Sequence, residues 1–170
     1  MTGEGTAVSP GTSPQSVAAD VLRKLRSTSA TLAVAESCTG GWLGKVITSI
    51  PGASVSFWGG VIAYDNEAKL KLLSVSLDVL TADGAVSERT AREMASGVVE
   101  VSGATWGVGI TGLAGPDGGT ADKPVGTVYV AISGPRDLCR TYHLSGDRRR
   151  IRRQAVDQAL ELLDEALGSQ

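Results

Sequence analysis

Cysteine, histidine and aromatic residues are all scarce in this 170-residue chain, and each scarcity closes off a class of explanation. The two cysteines, Cys38 and Cys139, form no CxxC pair and join no His/Cys cluster. Neither a disulfide framework nor a structural zinc site is indicated, and a reducing cytoplasm is the expected setting. The single histidine, His143, falls in an expected strand without an acid partner, so a Ser-His-Asp arrangement is not expected. Aromatic residues make up 4%, too few to suggest a stacking platform for single-stranded nucleic acid. The formal net charge of -2 gives no general attraction to phosphate backbones or acidic lipid. No apolar run approaches the roughly 20 residues needed to cross a bilayer, and the N-terminus has neither the basic region nor the apolar core of a secretory signal. No nucleic-acid or membrane partner is expected.

What remains is the composition of a globular domain, with 42% hydrophobic and 20% charged residues, in a length that suits one core. Residues 1–13 are rich in Gly, Ser, Thr and Pro and read as a mobile tail, because they offer little apolar surface to offset chain entropy. From Pro14, Val17, Val21, Leu22 and Leu25 recur at helical spacing. The run "TLAVA", Thr31 to Ala35, reads as a strand buried on both faces, and "GGWLGKVITSI" resumes helical spacing until Pro51 stops it. A second strand fits Val55 to Tyr64, and "DNEAKLKLL" follows as a helix capped by Asp65 or Asn66. Ser87 caps a further helix ending near Gly103.

Three strands are then expected in "TWGVGIT", "GTVYVAIS" and "LCRTYHLS", the last two joined by the turn "GPRD", before a basic helix from Asp147. Early strand-helix alternation favours parallel pairing and the hairpin adds an antiparallel step. The expected fold is a three-layer α/β/α sandwich around a mixed, mostly parallel sheet of about five strands, in one domain over residues 14–170.

In such sheets ligands gather at the carboxyl ends of strands, where "AESCTGG" lies. Gly40 and Gly41 permit close backbone approach, and the following helix N-terminus suits an anion such as phosphate; equally, Thr39 is a helix cap and the glycines belong to the turn. Ser37 is either a nucleophile on a strand-to-helix turn or another cap. Cys38 would be the more reactive group at a helix N-terminus, but free cysteine is commonly buried, and its side chain should point away from that of Ser37.

A serine without histidine needs another base, and "YDNEAK" offers Tyr64 and Lys69, since a desolvated lysine can titrate near neutrality. The loop "GITGLAGPDGG" holds far more glycine than a turn requires. It can wrap a ligand with backbone amides, with Gly112 and Gly115 among them, while Thr111 offers a hydroxyl. Asp117 has no second carboxylate or histidine at ligand spacing, so neither a metal nor a cofactor is expected. Arg148, Arg149, Arg150, Arg152 and Arg153 crowd the positive end of a helix dipole, and one or two of them are expected to reach the site.

Taken in order, AESCTGG, YDNEAK, GAVSE, GITGLAGPDGG, KPVGTVY and SGDR resemble the CinA C-terminal domain family, whose characterised members are nicotinamide mononucleotide deamidases. The resemblance implies a metal-free hydrolysis of the carboxamide of nicotinamide mononucleotide to nicotinic acid mononucleotide and ammonia, in pyridine nucleotide recycling. It places the family's serine on Ser37, its tyrosine and lysine on Tyr64 and Lys69, and Thr111 beside the reacting group. Thr39, Gly40, Gly41, Gly112, Gly115 and Arg148 are the expected substrate contacts. Asp65 departs from the small residue found in many relatives and bears only on the helix cap. Many relatives carry a larger nucleotide-pyrophosphatase-like domain that 170 residues cannot contain, so the standalone, homo-oligomeric form is expected. The alternative is a catalytically silent nucleotide-binding regulatory module.

Overall fold

The computed structural model of the chain describes residues 13–168. The expected tail therefore lies outside the described residues, except for Ser13. That residue caps helix α1 (Pro14–Ser27), its side chain accepting from the Ser16 N–H. The order continues β1 (Leu32–Glu36), α2 (Trp42–Thr48), β2 (Phe57–Ile62), α3 (Asn66–Leu73), α4 (Leu77–Ala82), α5 (Glu88–Ser102), β3 (Trp106–Gly112), β4 (Thr127–Ser133), β5 (Leu138–His143) and α6 (Arg148–Leu167).

The five strands form one sheet in the order β2-β1-β3-β4-β5. β1 pairs in parallel with β2 and β3, while β3-β4 and β4-β5 are antiparallel, so four of the five strands run in one direction. Helices α1, α2 and α6 cover one face and α3, α4 and α5 the other, giving the expected three layers.

Strand alternation sorts the core between these layers. Leu32, Val34, Val108, Ile110, Val128, Val130 and Ile132 face α1 and α6, meeting Leu22, Leu25, Leu160 and Leu163. The opposite face is made of smaller groups, Ala33, Ala35, Ala131, Gly107 and Gly109. A Cβ at Gly107 or Gly109 would run into the carbonyls of Ala95 or Ala91, so glycine lets α5 lie directly on β3.

Three local expectations are corrected. The second strand is shorter than Val55 to Tyr64: Val55 belongs to a 3-10 turn, and beyond Ile62 the backbone turns away at Ala63 and Tyr64, whose carbonyls are claimed by Lys69. Helix α4 was not expected, because its six residues are too few to display periodicity, although Ser76 caps it in the ordinary way by accepting from the Val79 N–H. Helix α2 ends at Thr48, short of Pro51. Among the described residues no helix is long and apolar enough to cross a membrane.

Candidate active site

The end of β1 divides its side chains between the two layers. Glu36 points toward α2, and the next residue, Ser37, points toward α3. The Ser37 N–H still donates to the Ile110 carbonyl at 3.0 Å, so Ser37 sits at the rim of the sheet in line with the strand. Lys69 comes from the first turn and a half of α3, which Asp65 caps through the Glu67 N–H. Both groups are withdrawn from water: Lys69 is 1% exposed and Ser37 7%.

Lys69 Nζ lies 3.0 Å from Ser37 Oγ, 3.0 Å from the Ala63 carbonyl oxygen and 3.1 Å from that of Tyr64. Two of these partners accept only, whereas a hydroxyl can donate. As an ammonium the group can donate to all three; as a neutral amine it gives two N–H groups to the carbonyls and its lone pair can receive the Ser37 proton. Burial drives the Lys69 pKa below its ordinary value, against a smaller upward pull from Asp65 and Cys38. Desolvation thus favours the neutral amine, and the 3.0 Å contact aims it at a serine hydroxyl.

The anion-binding end of α2 is already occupied. The Glu36 carboxylate, 2% exposed, accepts from the N–H groups of Gly41 at 3.0 Å, Leu43 at 3.1 Å and Gly44 at 2.8 Å. Gly40 and Gly41 take positive φ, 58° and 91°, which folds the turn back so that these amides meet Glu36. The expectation that they would hold a substrate phosphate is corrected: the chain supplies its own anion there.

Thr39 is not the cap either. Its Oγ1 is buried without a partner among the described residues, and Gly41 occupies the cap position with no side-chain bond. Cys38 points away from Ser37 into the aliphatic core, where burial pushes its thiol pKa up to about 12, so it is a packing residue and no thiolate.

The remaining candidate residues gather on the same rim. The β1-β3 register pairs Glu36 with Ile110, which brings Thr111 beside Ser37 on the α5 face. The Thr111 hydroxyl, 1% exposed, donates to the Ala85 carbonyl at 2.6 Å and so ties the rim to the GAVSE segment. That segment is held in turn by Thr90, whose hydroxyl donates to the Gly84 carbonyl at 2.7 Å. Gly112 closes β3 where a Cβ would strike Val128 Cγ2 at 2.7 Å. Tyr64 contributes its carbonyl to Lys69, but its phenol is 61% exposed and accepts from Arg148 Nη2 at 3.0 Å. Arg148 Nη1 donates to the Gly115 carbonyl at 2.8 Å. Thus Arg148 braces Tyr64 against the glycine loop, and the Tyr64 hydroxyl is directed at a guanidinium instead of at the Ser37-Lys69 pair.

The model of the CinA C-terminal domain matches residues 14–167, nearly the whole of the described chain. The chain belongs to the CinA family. CinA-like proteins of Trichodesmium erythraeum and Synechococcus are each 50% identical to it, over 157 and 160 residues, covering 90% and 92% of this chain. The chain spans only 37% and 38% of the length of those two relatives.

Among solved structures, the competence/damage inducible protein CihA of Agrobacterium tumefaciens superposes with a TM-score of 0.89 at 36% identity, covering 96% of this chain and 100% of that one. A CinA superfamily protein of Enterobacter cloacae reaches 0.91 at 27% identity, covering 99% and 100%. The fold described above is therefore the CinA fold.

Within this CinA domain, Glu36 and Arg152 take roles that no sequence pattern assigns to them individually. Glu36 closes the turn from the end of its strand, five positions ahead of Gly41, where rules that inspect the residue just before a helix do not look. Arg152 sends Nε to the Cys38 carbonyl at 3.0 Å and Nη2 to the Thr39 carbonyl at 2.9 Å, while its guanidinium lies 5.5 Å from the centre of the Trp42 ring. The only signal for Arg152 was its membership of the arginine run, which did not distinguish it from Arg149 or Arg153.

Proposed function

We propose that this chain is a serine amidohydrolase that converts the carboxamide of nicotinamide mononucleotide to nicotinic acid mononucleotide and ammonia, as one step of cytoplasmic pyridine nucleotide recycling. The observation that carries the reading is the buried Lys69 amine, 3.0 Å from Ser37 Oγ and otherwise bonded to two carbonyls. The substrate follows from the resemblance of the AESCTGG, YDNEAK and GITGLAGPDGG motifs to deamidases of the CinA family.

In the first half-reaction Ser37 Oγ attacks the amide carbon as its proton passes to Lys69. The N–H of Thr39, which has no acceptor among the described residues, is the donor we assign to the developing oxyanion. Lys69 then returns the proton to the departing nitrogen, ammonia leaves, and an ester on Ser37 remains. In the second half Lys69 takes a proton from water as it attacks that ester. The acid is released, and the proton returns to Ser37. Tyr64 assists by holding Lys69 through its carbonyl, a positioning role and not proton transfer.

Ammonia release from nicotinamide mononucleotide, lost in Ser37→Ala and kept in Cys38→Ala, is the expected result. Binding of the nucleotide without any turnover by the parent would sink the amidase reading and leave a regulatory binding module.

We also propose a homo-oligomer. The edge strand β2 exposes Trp58 and Ile62, at 53% and 55%, and carries no charged residue, whereas the other edge, β5, carries Arg140 paired with Glu165. Light scattering that returned a monomer mass at assay concentration would remove this part.

A further inference from the structure

Glu36 and Arg148 together displace the question of where an anionic substrate is held. The α2 amides are committed to Glu36, and both ends of the Arg148 guanidinium are committed to Gly115 and Tyr64. Beside them a cleft of about 310 Å³ opens between α2 and α6, lined by Gly40, Gly41, Trp42, Lys45, Arg149 and Arg152. Three cations meet there, and among the described residues no carboxylate lines it. Neither Lys45 nor Arg149 makes a side-chain hydrogen bond or ion pair among the described residues, and both are exposed. Asp147, which caps α6 by accepting from the Arg150 N–H at 2.8 Å, lines the adjoining cavity and not this one.

Arg149, in the first turn of α6 at the positive end of its dipole, shares the cleft with Lys45 and Arg152, and like charges so placed repel one another unless an anion joins them. A guanidinium and an ammonium converging on one opening suit a phosphate monoester, which offers several oxygens to forked and single donors. Arg152 fixes the position of this opening, because it grips the carbonyls of Cys38 and Thr39 in the turn that carries Ser37. Its guanidinium also lies against Gly40, where an added Cβ would stand 3.2 Å from Nη2, so a side chain at Gly40 would obstruct the cleft floor.

We propose that Lys45 and Arg149, beside the Arg152 brace, form the phosphate subsite, holding the 5′-phosphate of the nucleotide against Trp42 while its amide reaches Ser37. This rests on the amidase reading above, but it can fail separately. Arg152 is also a structural brace, so the test uses the two unbonded cations in the double variant Lys45→Ala/Arg149→Ala.

The KM for nicotinamide mononucleotide should rise about tenfold or more, a loss of at least ~1.4 kcal/mol. The value of kcat, and turnover of the phosphate-free nicotinamide riboside, should stay near parental. Direct binding of ribose 5-phosphate, followed by the fluorescence of Trp42 with Trp42→Phe as the control, should weaken by a similar factor. If the parent releases no ammonia yet binds ribose 5-phosphate in a Lys45/Arg149-dependent way, the subsite stands and the amidase reading falls. If the double variant keeps the parental KM and ribose 5-phosphate affinity, the subsite is wrong whatever the reaction. Salt-sensitive binding of an oligonucleotide, lost in the double variant without any ribose 5-phosphate binding, would likewise overturn it.

Discussion

The two faces of the sheet are built on opposite principles. Toward α1, α2 and α6 the strands present Leu, Val and Ile, and stability comes from the apolar area that large side chains remove from water. Toward α3, α4 and α5 they present Ala and Gly, so the helices approach until backbone meets backbone; even Gly97 of α5 is wedged against the Leu73 carbonyl. The first face holds no ionisable group of the proposed mechanism. The second buries Lys69 among main-chain carbonyls and brings it to Ser37, beside which the strand register sets Thr111. Close approach is what excludes water from the lysine without leaving its N–H groups unpaired.

The sharpest test of this contrast removes the amine itself. Lys69→Met should lower the rate of ammonia release by about four powers of ten, as for loss of a nucleophile's base. In the parent, kcat/KM should rise with pH through the lowered Lys69 pKa, below the ordinary 10.5, because the neutral amine is the active form. The folded value is depressed, so the unfolded chain binds more protons between the folded pKa and 10.5. The contribution of Lys69 to stability, read as the difference between parent and Lys69→Met in urea melts at several pH values, should therefore increase with pH across that window and decline as pH falls through it.

Next in size come paired changes, one on each face. Leu160→Ala, among the aliphatics, should cost ~2–5 kcal/mol through the cavity it leaves. Gly109→Val should cost about 3 kcal/mol or more by overpacking against α5, where even a Cβ would lie 2.7 Å from the Ala95 nitrogen. Assayed while still folded, Leu160→Ala should keep its turnover and Gly109→Val should not. Equal catalytic losses in the two would dissolve the distinction between the faces.

A smaller effect is expected at the boundary between them. Glu36→Gln replaces one acceptor oxygen with an NH2 that can only donate, so at least one of the three backbone N–H groups loses its acceptor, and the change should cost ~1.5–3 kcal/mol in denaturant unfolding. The least effect belongs to Cys38→Ala. With the thiol raised to about 12, no thiolate exists to lose at neutral pH, and turnover should change by less than about threefold.

The layers and their order were legible in the sequence because amphipathic helices and buried strands leave different periods. Ser87 and Asp65 announced their helices as ordinary caps do. The six residues of α4 hold too little pattern to mark a helix, and the early end of β2 is hidden because the sequence does not reveal that the Ala63 and Tyr64 carbonyls serve a lysine. Ser37 and Lys69 could be named individually, yet 32 residues separate them, and spacing on a chain carries no information about so distant a contact. Arg152, bonded to a carbonyl 114 residues away, was farther still from view.

By itself, then, the sequence determined the succession of elements, the three-layer architecture and the motifs that place the chain in the CinA family. These are properties of local periodicity and residue order. Only the tertiary structure decided how charge is distributed around the AESCTGG turn: Glu36 takes the helix amides, Cys38 goes to the core, Ser37 meets a desolvated amine, and Lys45 and Arg149 are left to face the cleft. Solvation and pairing set those outcomes. Both depend on which groups from distant segments are brought within a few ångströms of one another, and on how much water is left between them.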